Sequence, residues 1–413
     1  MRAIVIGGGI GGLTTALALH AAGIEATVFE AAAEVRPLGV GINLQPHAVR
    51  ELTELGLGER LAAAGIATQE FVYANCFGQE IWAEPRGLAA GYRWPQYSIH
   101  RGRLQLLLWE AAKERLGAGR LATGRRLVGF TQDAAGVTAR FADGSTGTGD
   151  VLVAADGIHS AVRAAFFPAE GPPKWNGCLL WRAISIAPPF RTGASMVQAG
   201  HRNRKFVCYP IGQAPDGRAV INWIAEQRFP ADHPWPREDW NRRGDVATFL
   251  PLFADWEFGW LSVPALIRTT EAVYEFPMVD RDPLPWWTRG RVTLLGDAAH
   301  PMYPIGSNGA SQAILDARWL ALQLATQPSV EAGLAAYEAV RRPATAALVE
   351  ANRGDGPDRV MDVVHARAPA GFTRLEDVVS HAELEAIIIG YKRVAGMDPA
   401  VLNERASWSV ASA

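Results

Sequence analysis

The chain has 413 residues, enough for two cores and a large buried cofactor, so a single compact domain would be unusual. Its formal net charge of −2, with no long run of either sign, excludes an electrostatic footprint for nucleic acid or an anionic membrane surface and leaves a small molecule as the expected partner. Cys76, Cys178 and Cys208 stand far apart without a CxxC pair, which argues against a disulfide framework or a zinc site and for a reducing, cytoplasmic setting.

Arg2–Ile6 reads as a buried strand running into glycines, not as a secretory leader or a membrane span. Gly7–Gly12 then reads as a tight turn, Leu13–Ala22 as a helix and Glu25–Glu30 as a second strand, together a βαβ unit. Gly7, Gly9 and Gly12, with Gly11 beside them, form G-x-G-x-x-G between strand and helix, and Glu30 closes the second strand. Glycines at these places let backbone N–H groups approach a pyrophosphate at a helix N-terminus, and the distal acid accepts from a ribose hydroxyl. The fingerprint suits FAD and NAD alike. Arg36, just beyond Glu30, reads equally as a partner for an NADP 2′-phosphate and as a solvated loop charge.

Further along, Phe71–Tyr73 and Ile81–Trp82 alternate like strands around the Phe77-Gly78 turn, and helical spacing returns in Leu104–Leu116. Continuous apolar strands appear at Val151–Ala155 and Val292–Leu295, each ending in an acidic residue beside glycine. From about residue 171 to 282 the composition shifts to Trp, Pro and extended apolar runs, with Trp175, Trp181, Trp223, Trp235, Trp240, Trp256 and Trp260, and reads as a second domain built on a sheet. After Ser329 the chain is mostly Ala-rich helix, broken at Gly354-Asp355-Gly356-Pro357 and Pro369-Ala370-Gly371.

The segment RVTLLGDAAHPMYPIGSNGASQAILDA, Arg291–Ala317, holds a strand, Gly296-Asp297, a proline-bearing loop, Gly306–Gly309 and a helix. It resembles the GD motif of the group A flavoprotein monooxygenases, the family that includes para-hydroxybenzoate and salicylate hydroxylases. The resemblance implies that Asp297 binds the ribityl chain of FAD. It also implies that the turn through Gly306, Asn308, Gly309 and Ala310 presents N–H groups to the flavin pyrimidine edge, where reduced flavin carries negative charge. DVLVAADGIHSAVR, Asp150–Arg163, looks like the family's DG motif at Asp156-Gly157, which supports FAD; Arg163 reads equally as a phosphate partner and as a surface charge. By the same resemblance Arg101, in SIHRGRLQLLL, neutralises the pyrophosphate, and Gln45, in GVGINLQPHAVREL, lies at the flavin. Ala31 and Val128 complete the implied FAD contacts. WPQYSIHRGRLQ and FPMVDRDPLPWWTRGRVTLLGDAAH are similar to the phenazine-hydroxylating members, whereas Arg191–Lys205 does not obviously match them.

The fold that follows is α/β, or α+β overall: a three-layer, Rossmann-like FAD-binding domain from residues 1–70, 98–170 and 283–350, a mixed-sheet substrate domain from 71–97 and 171–282, and a helical C-terminal segment, 351–413. The family's activity implies an FAD enzyme that takes NADH or NADPH as co-substrate and activates O2 at the flavin to hydroxylate a small planar aromatic or heteroaromatic ring, with or without loss of a carboxylate. One GxGxxG implies that nicotinamide binds transiently. His47 is the candidate base, with helix-start packing as its alternative; Tyr209 is placed to bond a ring substituent, with a core role as its alternative. Trp181, Trp223 and Pro304 are candidate substrate contacts, the two tryptophans reading also as ordinary core. A flavin-dependent oxidoreductase without oxygen insertion and an aromatic-binding flavoprotein without turnover are the rival readings. Monomer and homodimer both remain open.

Overall fold

A computed structural model describes residues 1–37, 39–230, 232–235 and 242–410; Trp240, one of the tryptophans that mark the middle of the chain, lies outside the described residues. The valine- and isoleucine-rich strand Arg2–Ile6 pairs in parallel with Glu25–Phe29 on one side and Val151–Ala154 on the other. Val292–Leu294 joins in parallel beyond Val151–Ala154, and Leu121–Ala122 beyond Glu25–Phe29, while Thr288–Arg289 closes one edge antiparallel. Every residue of Val151–Ala154 and Val292–Leu294 is buried, as continuous apolar strands covered on both faces require. The helices Ile10–Ala21, Arg101–Leu116 and Gly309–Thr326 pack together on this sheet, and an antiparallel sheet of Leu127–Gln132, Val137–Phe141 and Thr146–Gly149 adds a third layer.

A second, seven-stranded sheet runs in the order Val273–Asp280, Lys174–Ala187, Ala219–Arg228, Arg204–Gln213, Ser195–His201, Glu70–Ala74 and Glu80–Pro85. All its pairings are antiparallel except that of Ser195–His201 with Glu70–Ala74. Period-two alternation splits its side chains between two cores. On one face Trp181, Ala183, Phe206, Cys208 and Trp223 pack with Phe249, Phe253 and Trp256. Tyr209 and Ile224 point to the other face, toward the first sheet and the C-terminal helices.

After Ser329, whose hydroxyl accepts from Ala332 N and caps the long helix Val330–Arg353, come the helices Arg359–Arg367, His381–Val394 and Pro399–Glu404. This segment touches both halves of the molecule. Arg50 donates to the carbonyls of Leu402 and Arg405 on the dinucleotide side, while Lys205 Nζ stands 2.5 Å from Asp358 and Lys392 Nζ 2.7 Å from Glu84 on the second sheet.

Candidate active site

The first glycine turn divides its labour. A Cβ at Gly7 would overlap Ala155 O and one at Gly12 would overlap Gly7 O, so these two glycines permit the chain's own close packing. Gly9 differs: it caps the helix Ile10–Ala21, and a Cβ there would meet no atom within 4 Å. The space beside Gly9, at the positive end of a helix, is therefore open to a pyrophosphate. A Cβ at Gly11 would crowd Leu295 and Ala313. The Glu30 carboxylate is fixed at the end of its strand by Gly8 N, 2.6 Å, and Ala32 N, 2.7 Å. Gln105, which sequence reasoning passed over, donates to Gly8 O at 2.8 Å from one turn beyond Arg101; the four-residue helical spacing was the signal available. Arg36 pairs with Glu34 at 2.8 Å in solvent. Ala31 is exposed, and Val128, on Leu127–Gln132, is 61% exposed.

At the second turn, Asp297 lies deep among protein atoms although its side chain is exposed, the geometry of a residue lining a recess. Burial pushes its carboxyl above the usual range, with the His300 and Arg101 charges opposing. Gly306 and Ser307 take left-handed backbone, φ 68° and 55°, before the helix Gly309–Thr326 begins. The turn's carbonyls are occupied from within: Asn308 Nδ2 and Gln45 Nε2 donate to Gly306 O at 3.0 and 3.3 Å, and Asn352 Nδ2 to Tyr303 O at 3.2 Å. The first-turn N–H groups at Gly309 and Ala310 have no acceptor within their own helix. A Cβ at Gly309 would come no closer than 4.0 Å to Asp297 and Met302. Gln45 Oε1, Asn308 Oδ1 and Asp156 Oδ1 are buried without a protein partner, and burial raises the Asp156 carboxyl as well. Open space at two helix starts, an acid in a recess and orphaned polar atoms fit a dinucleotide flavin.

Arg163 proves to be neither a phosphate ligand nor a surface charge. It is buried, donates to the carbonyls of Ala298 at 3.1 Å and Ala299 at 2.8 Å, and pairs with Glu170, so it braces the Asp297 turn from behind. His300 likewise stands 2.5 Å from Asp316, which Arg341 also holds. Burial alone would raise the Asp316 carboxyl, and His300 and Arg341 more than offset it.

On the second sheet, Arg182, Tyr209 and Asn222 share the face turned toward Gly41. Gly41 N donates to Asn222 Oδ1 at 2.7 Å and Arg182 Nη2 to Gly41 O at 3.0 Å; a Cβ at Gly41 would press within 2.8 Å of both Asn222 and Tyr209. Arg182 Nε and Asn222 Nδ2 remain buried donors with no partner. Burial lowers the Arg182 guanidinium and pushes the Tyr209 phenol up to about 12, the charge of Arg182 opposing the latter. Arg101 acts electrostatically on both Asp297 and Arg182, which ties this face to the Asp297 turn. Asn43, two residues beyond Gly41 on the strand Gly41–Leu44, is also buried with an unpartnered Nδ2, its oxygen accepting from Ser98 at 2.6 Å. Sequence reasoning singled out neither Arg182, Asn222 nor Asn43; alternation from Gly41 reaches Asn43 alone, since Arg182 and Asn222 lie on other strands whose register sets their face.

Two expectations are corrected. Trp181 and Trp223 point to the opposite face of the sheet, where Trp181 stacks on Phe249 with centroids 4.7 Å apart. Their indole N–H groups donate to Glu275 and Ser185, both at 2.9 Å, so they are core and not substrate contacts. His47 does not face the sheet either. It is 1% exposed, 3.4 Å from Gln312, and burial, then Arg341 and Arg405, lower its pKa to about 3. Its Nδ1 is buried without a protein partner, and in this setting the ring is held neutral. Pro304 stands exposed at the start of the Gly306-Ser307 turn, its carbonyl accepting from Ser307 N at 3.1 Å.

A family model described as "FAD binding domain" matches residues 1–235 and 271–352. The chain belongs to the group A FAD-dependent aromatic monooxygenases. This monooxygenase is 49% identical over 360 residues to phenazine 1,6-dicarboxylic acid hydroxylase PhzS of Lysobacter antibioticus, which covers 85% of this chain and 88% of the relative. It is 31% identical to 6-hydroxynicotinate 3-monooxygenase of Bordetella bronchiseptica over 372 residues, 88% of this chain and 90% of the relative. Among solved structures, a salicylate hydroxylase substrate complex superposes with a TM-score of 0.74 at 26% identity, covering 100% of this chain and 98% of the other. Klebsiella pneumoniae HpxO complexed with FAD and uric acid gives 0.75 at 26%, covering 97% and 96%. The monooxygenase is an FAD enzyme acting on aromatic substrates, and the readings without oxygen insertion or turnover are not favoured. Among the described residues no helix is long and apolar enough to cross a membrane.

Proposed function

We propose that this monooxygenase uses NADH or NADPH and O2 to hydroxylate a planar aromatic or heteroaromatic ring bearing a carboxylate or comparable anionic group, which Arg182, Asn222 and Tyr209 receive. The observation that carries this reading is the pair of buried donors, Arg182 Nε and Asn222 Nδ2, that find no acceptor in the protein. Leaving such a donor unpaired costs about 1–3 kcal/mol, more for a charged group, so an anion is the natural counterpart. The phenol of Tyr209, raised to about 12, keeps its proton near neutral pH and donates instead of acting as a base. Relatives whose names specify ring acids, the phenazine dicarboxylic acid, 6-hydroxynicotinate and 3-hydroxybenzoate enzymes, support the same substrate class.

In this reading the amides at Gly9 meet the pyrophosphate, Glu30 the ribose, Arg101 the phosphate charge, Asp297 the ribityl chain and the Asn308–Ala310 amides the pyrimidine edge. FAD, when bound, supplies the oxygen activation; the protein orients the ring and keeps water away. The division into an FAD-binding domain of 1–70, 98–170 and 283–350, a substrate domain and a C-terminal helical segment follows the two sheets. The three free thiols suit the cytoplasm.

A panel of phenazine, pyridine and benzene carboxylates with their uncharged analogues, read as substrate-stimulated NADH oxidation with product mass, tests the proposal. Carboxylates are expected to stimulate turnover most. Equal stimulation by the neutral analogues would defeat it.

A further inference from the structure

The C-terminal helix His381–Val394 sends one side chain to the flavin turn. Tyr391 is buried, and its hydroxyl accepts from Asn308 Nδ2 at 3.0 Å. It lies 3.2 Å from Ile305 O and 2.9 Å from Asn352 Oδ1, and its single proton serves one of these acceptors at a time. A Cβ at Gly306 would overlap this hydroxyl, so the left-handed glycine and the tyrosine are fitted to each other. Asn308, held by Tyr391, also donates to Gly306 O, while Asn352 holds Tyr303 O. A Cβ at Gly356 would likewise press on both Ile305 and the Tyr391 ring, at 3.0 Å.

We propose that Tyr391 is a positioning residue for the flavin: through Asn308 and the carbonyl of Ile305 it holds the strained Gly306-Ser307 turn so that the first amides of the helix Gly309–Thr326 are aimed at the cofactor. The family model ends at residue 352, so this contact comes from a segment beyond it. Two adjacent left-handed residues, one of them serine, persist only where surrounding contacts over-determine them. Tyr391, Asn352 and Gln45 supply those contacts. The inference rests on the assignment of this turn to the flavin. Its consequence is electrostatic: amides held in place stabilise the negative charge of reduced flavin, and amides allowed to wander stabilise it less.

The test compares Tyr391→Phe with two controls in FAD-reconstituted protein. Tyr92→Phe removes another buried hydroxyl that binds the C-terminal segment, at Met397 O, far from the turn in sequence. Gly309→Ala puts a methyl group into the open space before the helix. Tyr391→Phe is expected to bind FAD roughly tenfold more weakly, for the loss of one to two hydrogen bonds, and to have a more negative flavin midpoint potential. Tyr92→Phe should lose comparable thermal stability yet keep both values. Should Tyr391→Phe fail to fold, Asn308→Ser cuts the same link from the other side. Wild-type affinity and potential in the link variant, with FAD lost in Gly309→Ala, would overturn the role of Tyr391 alone. Wild-type affinity in Gly309→Ala would overturn the assignment of the turn to flavin, and the role of Tyr391 with it.

Discussion

Gly9 is the residue at which packing and ligand binding come apart. Its neighbours Gly7 and Gly12 are required by the backbone they touch, whereas a methyl at position 9 would touch nothing in the protein. Gly9→Ala should therefore leave apoprotein melting within about 0.5 kcal/mol of wild type while weakening FAD at least about tenfold, read by flavin content and titration. Unchanged affinity would show that the phosphates pass elsewhere. Arg182→Met should raise KM for a carboxylated ring by roughly tenfold to a hundredfold, the value of one hydrogen bond to a charged group, and leave uncharged rings nearly unaffected. A uniform loss across both sets would point to a structural role instead. His47 gives a pH prediction. Its folded pKa, about 3, lies below the unfolded value of 6.5, so the unfolded chain binds more protons between these limits. That stability is complete above about pH 6.5 and is lost as pH falls toward 3, at up to about 1.4 kcal/mol per pH unit. His47→Asn should flatten the acid limb in that window, as followed by denaturant melts at successive pH values. An unaltered limb would mean that the ring is protonated in the native state. At this scale the glycines and Asp297 were legible because backbone geometry and motif spacing constrain them. Arg182, Asn222 and Gln105 were not, because their meaning depends on which distant backbone group faces them.

Elements explain why the tryptophans misled. Seven of them mark the central stretch, and an aromatic substrate makes stacking partners attractive, but a strand sends alternate residues to opposite faces. Knowing that Tyr209 faces the site does not fix the face of Trp181 or Trp223 until the register with the neighbouring strands is known, and Ala183↔Trp223 with Tyr209↔Asn222 supplies it. Trp223→Phe should cost roughly 1–3 kcal/mol, through lost volume and the lost bond to Ser185, without changing KM. A raised KM at unchanged stability would return this residue to the substrate. The parallel strands were easier to find, since burial on both faces leaves unbroken apolar runs that need no partner to be recognised.

Across the whole molecule, a short sheet of Gly41–Leu44, Tyr97–His100 and Gly65–Ala67 meets the polar face of Arg182, Tyr209 and Asn222 on the seven-stranded sheet at Gly41. The helical segment after residue 353 joins them, reaching Arg50 on one side, Glu84 and Lys205 on the other, and the flavin turn between. Sequence patterns exposed the two sheets and the Ala-rich end but not what that end does, because its contacts are made over some three hundred residues of chain separation by ordinary-looking side chains. The most direct measurement of the central claim is oxygen tracing: purified holoenzyme, NADH, a carboxylated aromatic substrate and 18O2, with the product weighed by mass spectrometry. One labelled oxygen atom per product, formed in step with NADH consumed, is the predicted result. NADH oxidation by every such substrate with no label in the ring would contradict it.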